Sequence, residues 1–172
     1  MGKLIMRLAI LFFVFLVFGV AAAISGQDVV NFPMLGQGWY KVETPSGKPY
    51  LMFQNDKYMA RIRLLTYSLK EGINPLPKER MEYWIKGMKK RNEFGKNFTE
   101  IQDGTTTIDG LPTYWKTYRH GKGKRQTWEK NYLAITKDRK VVHLRFTALG
   151  EEAPEEGLRE LDDWVNEISL KK

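Results

Sequence analysis

The sequence predicts an α+β domain: a mainly antiparallel β-sheet packed with two main helices, preceded by an N-terminal signal or anchor segment. Three observations lead there. Apolar residues recur at helical spacing in two stretches of the polar part of the chain. Elsewhere they alternate in short runs separated by Gly- and Pro-rich turns. The N-terminus has a short basic start, a long apolar run and a small-residue end.

The first helix is expected over residues 77–94. Met81, Trp84, Ile85 and Met88 fall on one face, Lys78, Arg80, Glu82, Lys86 and Lys89 on the other, and Gly95 ends it. The second is expected over 154–170, with Leu158, Leu161, Trp164, Val165 and Ile168 as its stripe. Pro154 suits its first turn, and Glu155 and Glu156 favour its positive end. Strands are expected at 39–44 and 50–54 around the turn 45–49. Others are expected at 57–67, where Ala60, Ile62 and Leu64 oppose Arg61 and Arg63, and as a short strand at 98–102. Residues 113–119 and 126–136 flank a Gly-rich hairpin. In 141–148, Val142, Leu144 and Phe146 oppose His143 and Arg145. Hairpin-linked strands imply antiparallel pairing, with the helices laid on the sheet.

Residues 1–25 read as an export signal. Lys3 and Arg7 form the basic start, and 8–24 is the apolar run. Ala21, Ala22 and Ala23, or Ala23 with Ser25, offer a cleavage site. An uncleaved membrane anchor is the alternative, because no charge stands between Arg7 and Asp28 and about 20 apolar residues span a bilayer. Either way the rest of the chain is expected to be exported, periplasmic or extracellular. Membrane contact would run through 8–24. Residues 26–36 read as a leader and 37–172 as one domain.

The chain carries 28 Lys and Arg against 20 Asp and Glu, a net charge of +8, and no cysteine. Disulfides, thiolate metal sites and a Cys nucleophile are excluded. The charge is uneven: residues 24–150 hold 23 basic and 12 acidic residues, and 151–172 hold 3 and 8.

The order strands, helix, strands, helix resembles the PsbP-like superfamily. Gly38-Trp39-Tyr40 leads into a strand ending at Pro45, residues 77–90 follow the third strand, and 155–170 form a closing helix. Ile108-Asp109-Gly110-Leu111-Pro112-Thr113-Tyr114 is similar to that family's turn before a long strand. The superfamily includes PsbP, envelope proteins of the DcrB type and a nuclear import factor that binds the GTPase Ran. The resemblance implies a PsbP-like α/β/α sandwich and a partner-binding accessory role. It transfers no catalytic residue.

Little in the sequence points to catalysis. The two histidines, His120 and His143, have no His or Cys neighbour at metal-ligand spacing, and no metal or cofactor is expected. His143 reads as a solvated or sheet-face residue, and the basic surroundings of His120 disfavour its protonation. The chain has no Gly-x-Ser-x-Gly elbow, and Gly121-Lys122-Gly123-Lys124 joins strands rather than opening a helix. A hydrolase would need a cleft joining His143 to a carboxylate and a hydroxyl. The acids from Glu151 to Glu167 read as a solvated helix face, and Asn97-Phe98-Thr99 is a sequon that matters only in a eukaryotic secretory route.

The basic hairpin is the best lead. Arg119, His120, Lys122, Lys124, Arg125, Trp128 and Lys130 are the candidate partner-binding residues. A flexible basic tip with nearby aromatics suits an envelope protein or an anionic surface, each cation being worth about 1 kcal/mol at a lipid headgroup layer. The open sheet face, or a groove beside the helices, is the second candidate contact. Nucleic acid is not expected outside the cytoplasm. The functional expectation is an exported, non-enzymatic accessory domain. The alternative is a small-molecule or glycan-binding module using exposed aromatics, although most of the five tryptophans are expected in the core.

Overall fold

A computed structural model of the protein describes residues 30–31, 36, 38–43, 50–95 and 97–170. The signal or anchor segment, with Ala21, Ala22, Ala23 and Ser25, and the turn 45–49 lie outside the described residues. Among the described residues no helix is long and apolar enough to cross a membrane.

The chain runs β1 (Val30–Asn31), β2 (Trp39–Val42), β3 (Tyr50–Asn55), β4 (Ala60–Ser68), α1 (Pro77–Lys90), β5 (Thr99–Ile108), β6 (Leu111–His120), β7 (Thr127–Ile135), β8 (Lys140–Leu149), α2 (Glu155–Glu167) and β9 (Ser169–Leu170). Seven strands form one sheet in the order β2-β3-β4-β8-β7-β6-β5, with every neighbouring pair antiparallel. The excursion through α1, β5, β6 and β7 lets β8 return beside β4.

Alternation of side chains divides the sheet into two faces. Ile62, Leu64, Val142, Leu144 and Phe146 meet Leu161, Trp164 and Val165 of α2. Tyr114, Tyr118, Leu133 and Val141 point the other way and meet Met81, Ile85 and Met88 of α1. The result is the expected α+β sandwich, one helix on each face of the sheet.

Four boundaries differ from the sequence expectation by three residues or more. The strand expected at 98–102 runs from Thr99 to Ile108, because Asp109 (φ 48°) and Gly110 (φ 75°) close a two-residue turn that pairs it along β6. The strand expected from 57 starts at Ala60, after a turn in which Met59 takes a left-handed φ of 45°. The helix expected over 77–94 stops at Lys90, where Arg91 to Phe94 turn away. The closing helix stops at Glu167, and Ser169–Leu170 pairs with Val30–Asn31. Part of the expected leader is thus a strand fastened to the C-terminal end of the domain.

Gly104 explains why β5 is hard to read. It faces Trp115 across the β5–β6 ladder, and a Cβ there would lie 2.8 Å from the indole. Glycine lets the ring lie over the strand. Gly104→Ala should therefore destabilise the domain by about 1–3 kcal/mol through overpacking. Chemical denaturation measures this, and an unchanged midpoint would show that the indole swings free.

Candidate partner-binding site

The hairpin residues expected to act together are divided by strand alternation. Trp128 and Lys130 of β7 lie on the α2 side, only 8% and 7% exposed. The Trp128 Nε1–H donates to the Gly150 carbonyl at 3.2 Å, and Lys130 Nζ lies 2.6 Å from Asp162 Oδ1. Arg119 is half-buried on that side, over the Trp128 ring. His120 points to the opposite face. Lys122, Lys124 and Arg125 are exposed at the tip.

The tip is a single 3-10 turn, Gly123–Arg125, braced against the segment after β8. Gln126 Nε2 donates to the Glu151 carbonyl at 2.8 Å, and the Gly150 N–H donates to the Gln126 carbonyl at 3.0 Å. The tip read as flexible is held to that segment by these two hydrogen bonds and carries three cations at its end.

Below the hairpin, on the α1 side of the sheet, lies a network that the sequence reading missed. Glu129 is 1% exposed. Its Oε2 accepts from the Tyr118 hydroxyl at 2.7 Å and from Arg145 Nε at 2.8 Å. Its Oε1 accepts from Arg145 Nη2 at 2.8 Å and lies 2.8 Å from His120 Nε2. Burial alone would raise the pKa of this carboxyl. Hydrogen bonds from His120 and Arg145, with the guanidinium charge, outweigh burial and hold it at about 2.

The network continues inward. Asn131 Nδ2 donates to the Tyr118 hydroxyl at 3.0 Å, and His143 Nε2 meets Asn131 Oδ1 at 2.9 Å. With its Nε2 protonated, His143 donates to Asn131, Asn131 to Tyr118 and Tyr118 to Glu129. The expectation of a solvated or sheet-face His143 is corrected in one respect: it is on the sheet face but only 3% exposed, with Trp84 of α1 edge-on at 4.9 Å. Burial first, and Arg145 second, push its pKa down to about 3, so the ring is neutral. The carboxylate and hydroxyl that a hydrolase would need do connect to His143, but in an enclosed chain rather than a cleft.

α1 lies over β6 and β7 and reaches β8 through Trp84. Among the described residues no helix covers β2, β3 and β4 on this side. Gln54, Arg61, Arg63, Arg145 and Thr147 line an open depression there of about 590 Å³, which reaches His120 and Glu129 at the hairpin base. Asp56 and the exposed Met59 and Leu149 also line it, and the exposed Tyr40 stands beside it, its hydroxyl accepting from Gln54. Arg61 Nε donates to Gln54 Oε1 at 3.1 Å, and Asp56 accepts from Tyr40 and Gln54.

The α2 acids correct the expectation of a wholly solvated helix face. Glu160 accepts from Trp39 Nε1 at 3.0 Å and from the Tyr58 hydroxyl at 2.8 Å. Asp162 accepts from Lys130 and the Tyr132 hydroxyl, and Glu156 pairs with Lys57. The tryptophans are core or half-buried, with Trp39 and Trp115 packed against the α2-side core. Among the described residues no three His, Asp or Glu converge on a metal site.

The architecture is that of a sheet sandwiched by two helices, with one half of one sheet face left open and basic. It is the PsbP-like fold. The chain superposes on cyanobacterial PsbP (CyanoP) from Synechocystis sp. PCC 6803 with a TM-score of 0.60 at 12% identity, covering 89% of this chain and 96% of that one. It superposes on LpqN of Mycobacterium tuberculosis, a protein involved in cell envelope biogenesis, with a TM-score of 0.57 at 13% identity, covering 83% of each chain. The Ran-binding protein Mog1p of Saccharomyces cerevisiae gives a TM-score of 0.60 at 10% identity, covering 82% of this chain and 89% of that one. The sequence matches no family model and no curated protein, so the likeness is one of fold.

The signal for Arg61, Arg63 and Arg145 was present in the sequence as the polar side of two alternating strands. What the sequence did not show is that those strands are neighbours. Glu129 gave no signal, since its burial follows from partners 9 to 16 residues away along the chain.

Proposed function

We propose that this protein is an exported, non-enzymatic accessory domain of the cell envelope that binds an acidic protein partner through its open sheet face and the neighbouring hairpin tip. The observation that carries the reading is the basic face between β3 and β8. Arg61 and Arg63 stand there beside exposed Tyr40, Met59 and Leu149, with Lys122, Lys124 and Arg125 at the hairpin end. Exposed tyrosine next to arginine has the composition of a binding hot spot, methionine is enriched at interfaces, and the tip cations would steer an acidic partner. The reading of residues 1–25 as an export signal supports an envelope location. The likeness to LpqN and Mog1p supports a binding role, since one is involved in envelope biogenesis and the other is Ran-binding.

The test is a cross-linked pull-down from native envelope with two variants. One carries Lys122, Lys124 and Arg125 changed to Gln, and the other carries Arg61→Gln. A partner captured by the wild type should be reduced by the tip variant and lost by Arg61→Gln. Capture should also weaken from 0.1 to 1 M salt, as the screening length falls from about 10 to about 3 Å. Equal capture by all three proteins at both salt concentrations would remove the basic face from the account.

A further inference from the structure

Arg63 is the outlier of the open face. It stands directly opposite Arg145 in the β4–β8 ladder. Like charges directly opposite each other on a sheet are destabilising unless something neutralises them. Arg145 has Glu129. Each carboxylate oxygen of Glu129 already takes two contacts, from Tyr118 and Arg145 on one side and from His120 and Arg145 on the other. A carboxylate offers about four acceptor positions, so none is left for Arg63.

No hydrogen bond or ion pair joins Arg63 to another described residue, and its Nε is buried without a partner. Its guanidinium lies 6.0 Å from the Tyr50 ring centroid. Burial and then the Arg145 charge lower its pKa, and the attraction of Tyr50 and Glu129 does not offset them.

We propose that Arg63 is an anion subsite that takes a carboxylate from an acidic peptide segment of the partner, laid along the open face of β4. This rests on the partner-binding reading above and names the chemistry of its central contact. Spacing favours an extended peptide. Arg61 and Arg63 are two residues apart on one strand, about 6.6 Å, which is also the spacing of alternate side chains in an extended chain. Two acidic residues at alternate positions would meet both guanidiniums. A flat lipid surface would meet the exposed tip cations rather than the half-buried guanidinium of Arg63 in the depression.

The experiment is calorimetric titration of the purified full chain at low salt. The probes are hexaglutamate, hexaglutamine, inorganic phosphate and phosphatidylglycerol vesicles. The proteins are the wild type, Arg63→Gln, Arg63→Lys and the tip variant. Wild type should bind hexaglutamate and not hexaglutamine. Arg63→Gln should bind hexaglutamate about tenfold more weakly or worse, because a charge-assisted hydrogen bond is lost. Arg63→Lys should fall between them, since it keeps the charge without the planar fork. The tip variant should lose less, and the loss should vanish at high salt.

Melting provides the control for folding. Without peptide, Arg63→Gln should melt at or above the wild-type temperature, since a like charge beside Arg145 is gone. Hexaglutamate should raise the wild-type Tm and, at the same concentration, raise that of Arg63→Gln clearly less. Equal hexaglutamate affinity in wild type and Arg63→Gln overturns the proposal. So does a wild type that takes phosphate or vesicles but leaves hexaglutamate free. Either result leaves a pull-down that depends on Arg61 and the tip standing, whereas a pull-down that depends on neither removes the reading beneath it.

Discussion

Glu129→Ala should lose about 3–5 kcal/mol of stability, the expected cost of removing one partner from a buried ion pair. At this domain size that lowers Tm by about 10 °C or more. The loss has a definite origin. Arg145 would keep its charge with no carboxylate to receive its fork, and it would face Arg63 across the ladder. The Tyr118 hydroxyl would lose its acceptor while remaining the acceptor for Asn131. A double-mutant cycle with Arg145→Ala isolates the pair: the double variant should be less destabilised than the sum of the singles. Tyr118→Phe should cost less, about 2–3 kcal/mol, because it removes two buried hydrogen bonds, one to Glu129 and one from Asn131, but leaves the ion pair in place. If Glu129→Ala melts within a degree or two of wild type, water has entered the network and the ion pair contributes little.

Acid should weaken the fold in two stages. His143 has a folded-state pKa of about 3, against an unfolded value near 6.5. The unfolded chain therefore takes up a proton at a pH where the folded chain refuses it, and stability falls as pH drops below about 6.5. Between pH 6.5 and 5 this should remove about 2 kcal/mol. Glu129, lowered to about 2, contributes stability that is present above its unfolded pKa of about 4.5 and lost as pH falls towards 2. Urea denaturation at a series of pH values reads both stages. His143→Gln can still donate to Asn131 but cannot titrate, so its profile should be flat between pH 6.5 and 5. A wild-type profile that is itself flat there would place the His143 ring in contact with water.

The sheet and both helices were legible because their signals are local. Met81, Ile85 and Met88 share a face at helical spacing, and Ile62 and Leu64 alternate with Arg61 and Arg63. Periodicity reports such patterns without knowledge of the partner surface. The long β5 was less legible. Gly104 interrupts its pattern, and the reason for that glycine is an indole on the next strand. The acids of α2 have the spacing of a solvated face, yet Glu160 and Asp162 fold back onto Trp39, Tyr58, Lys130 and Tyr132.

The hairpin shows where linear proximity misleads. Seven candidate residues within 119–130 read as one patch. Residues adjacent on a strand point to opposite faces, so Trp128 and Lys130 went to one side of the sheet and His120 to the other. The cations that came together instead are Arg61 and Arg63 with Arg145, which lies more than 80 residues further along the chain and meets them through the β4–β8 ladder.

By itself the sequence determined the fold class, the two helix faces, the uneven charge and the expectation of export. These follow from composition and from hydrophobic period along the chain. Tertiary structure alone decided which cations share a face, that Glu129 and His143 are buried in one hydrogen-bonded chain, and that Arg63 has no hydrogen-bonded or ion-paired partner among the described residues. Those facts depend on which strands lie side by side and on which half of a sheet a helix covers. No local period encodes either of them, because burial and charge pairing are properties of neighbours in space.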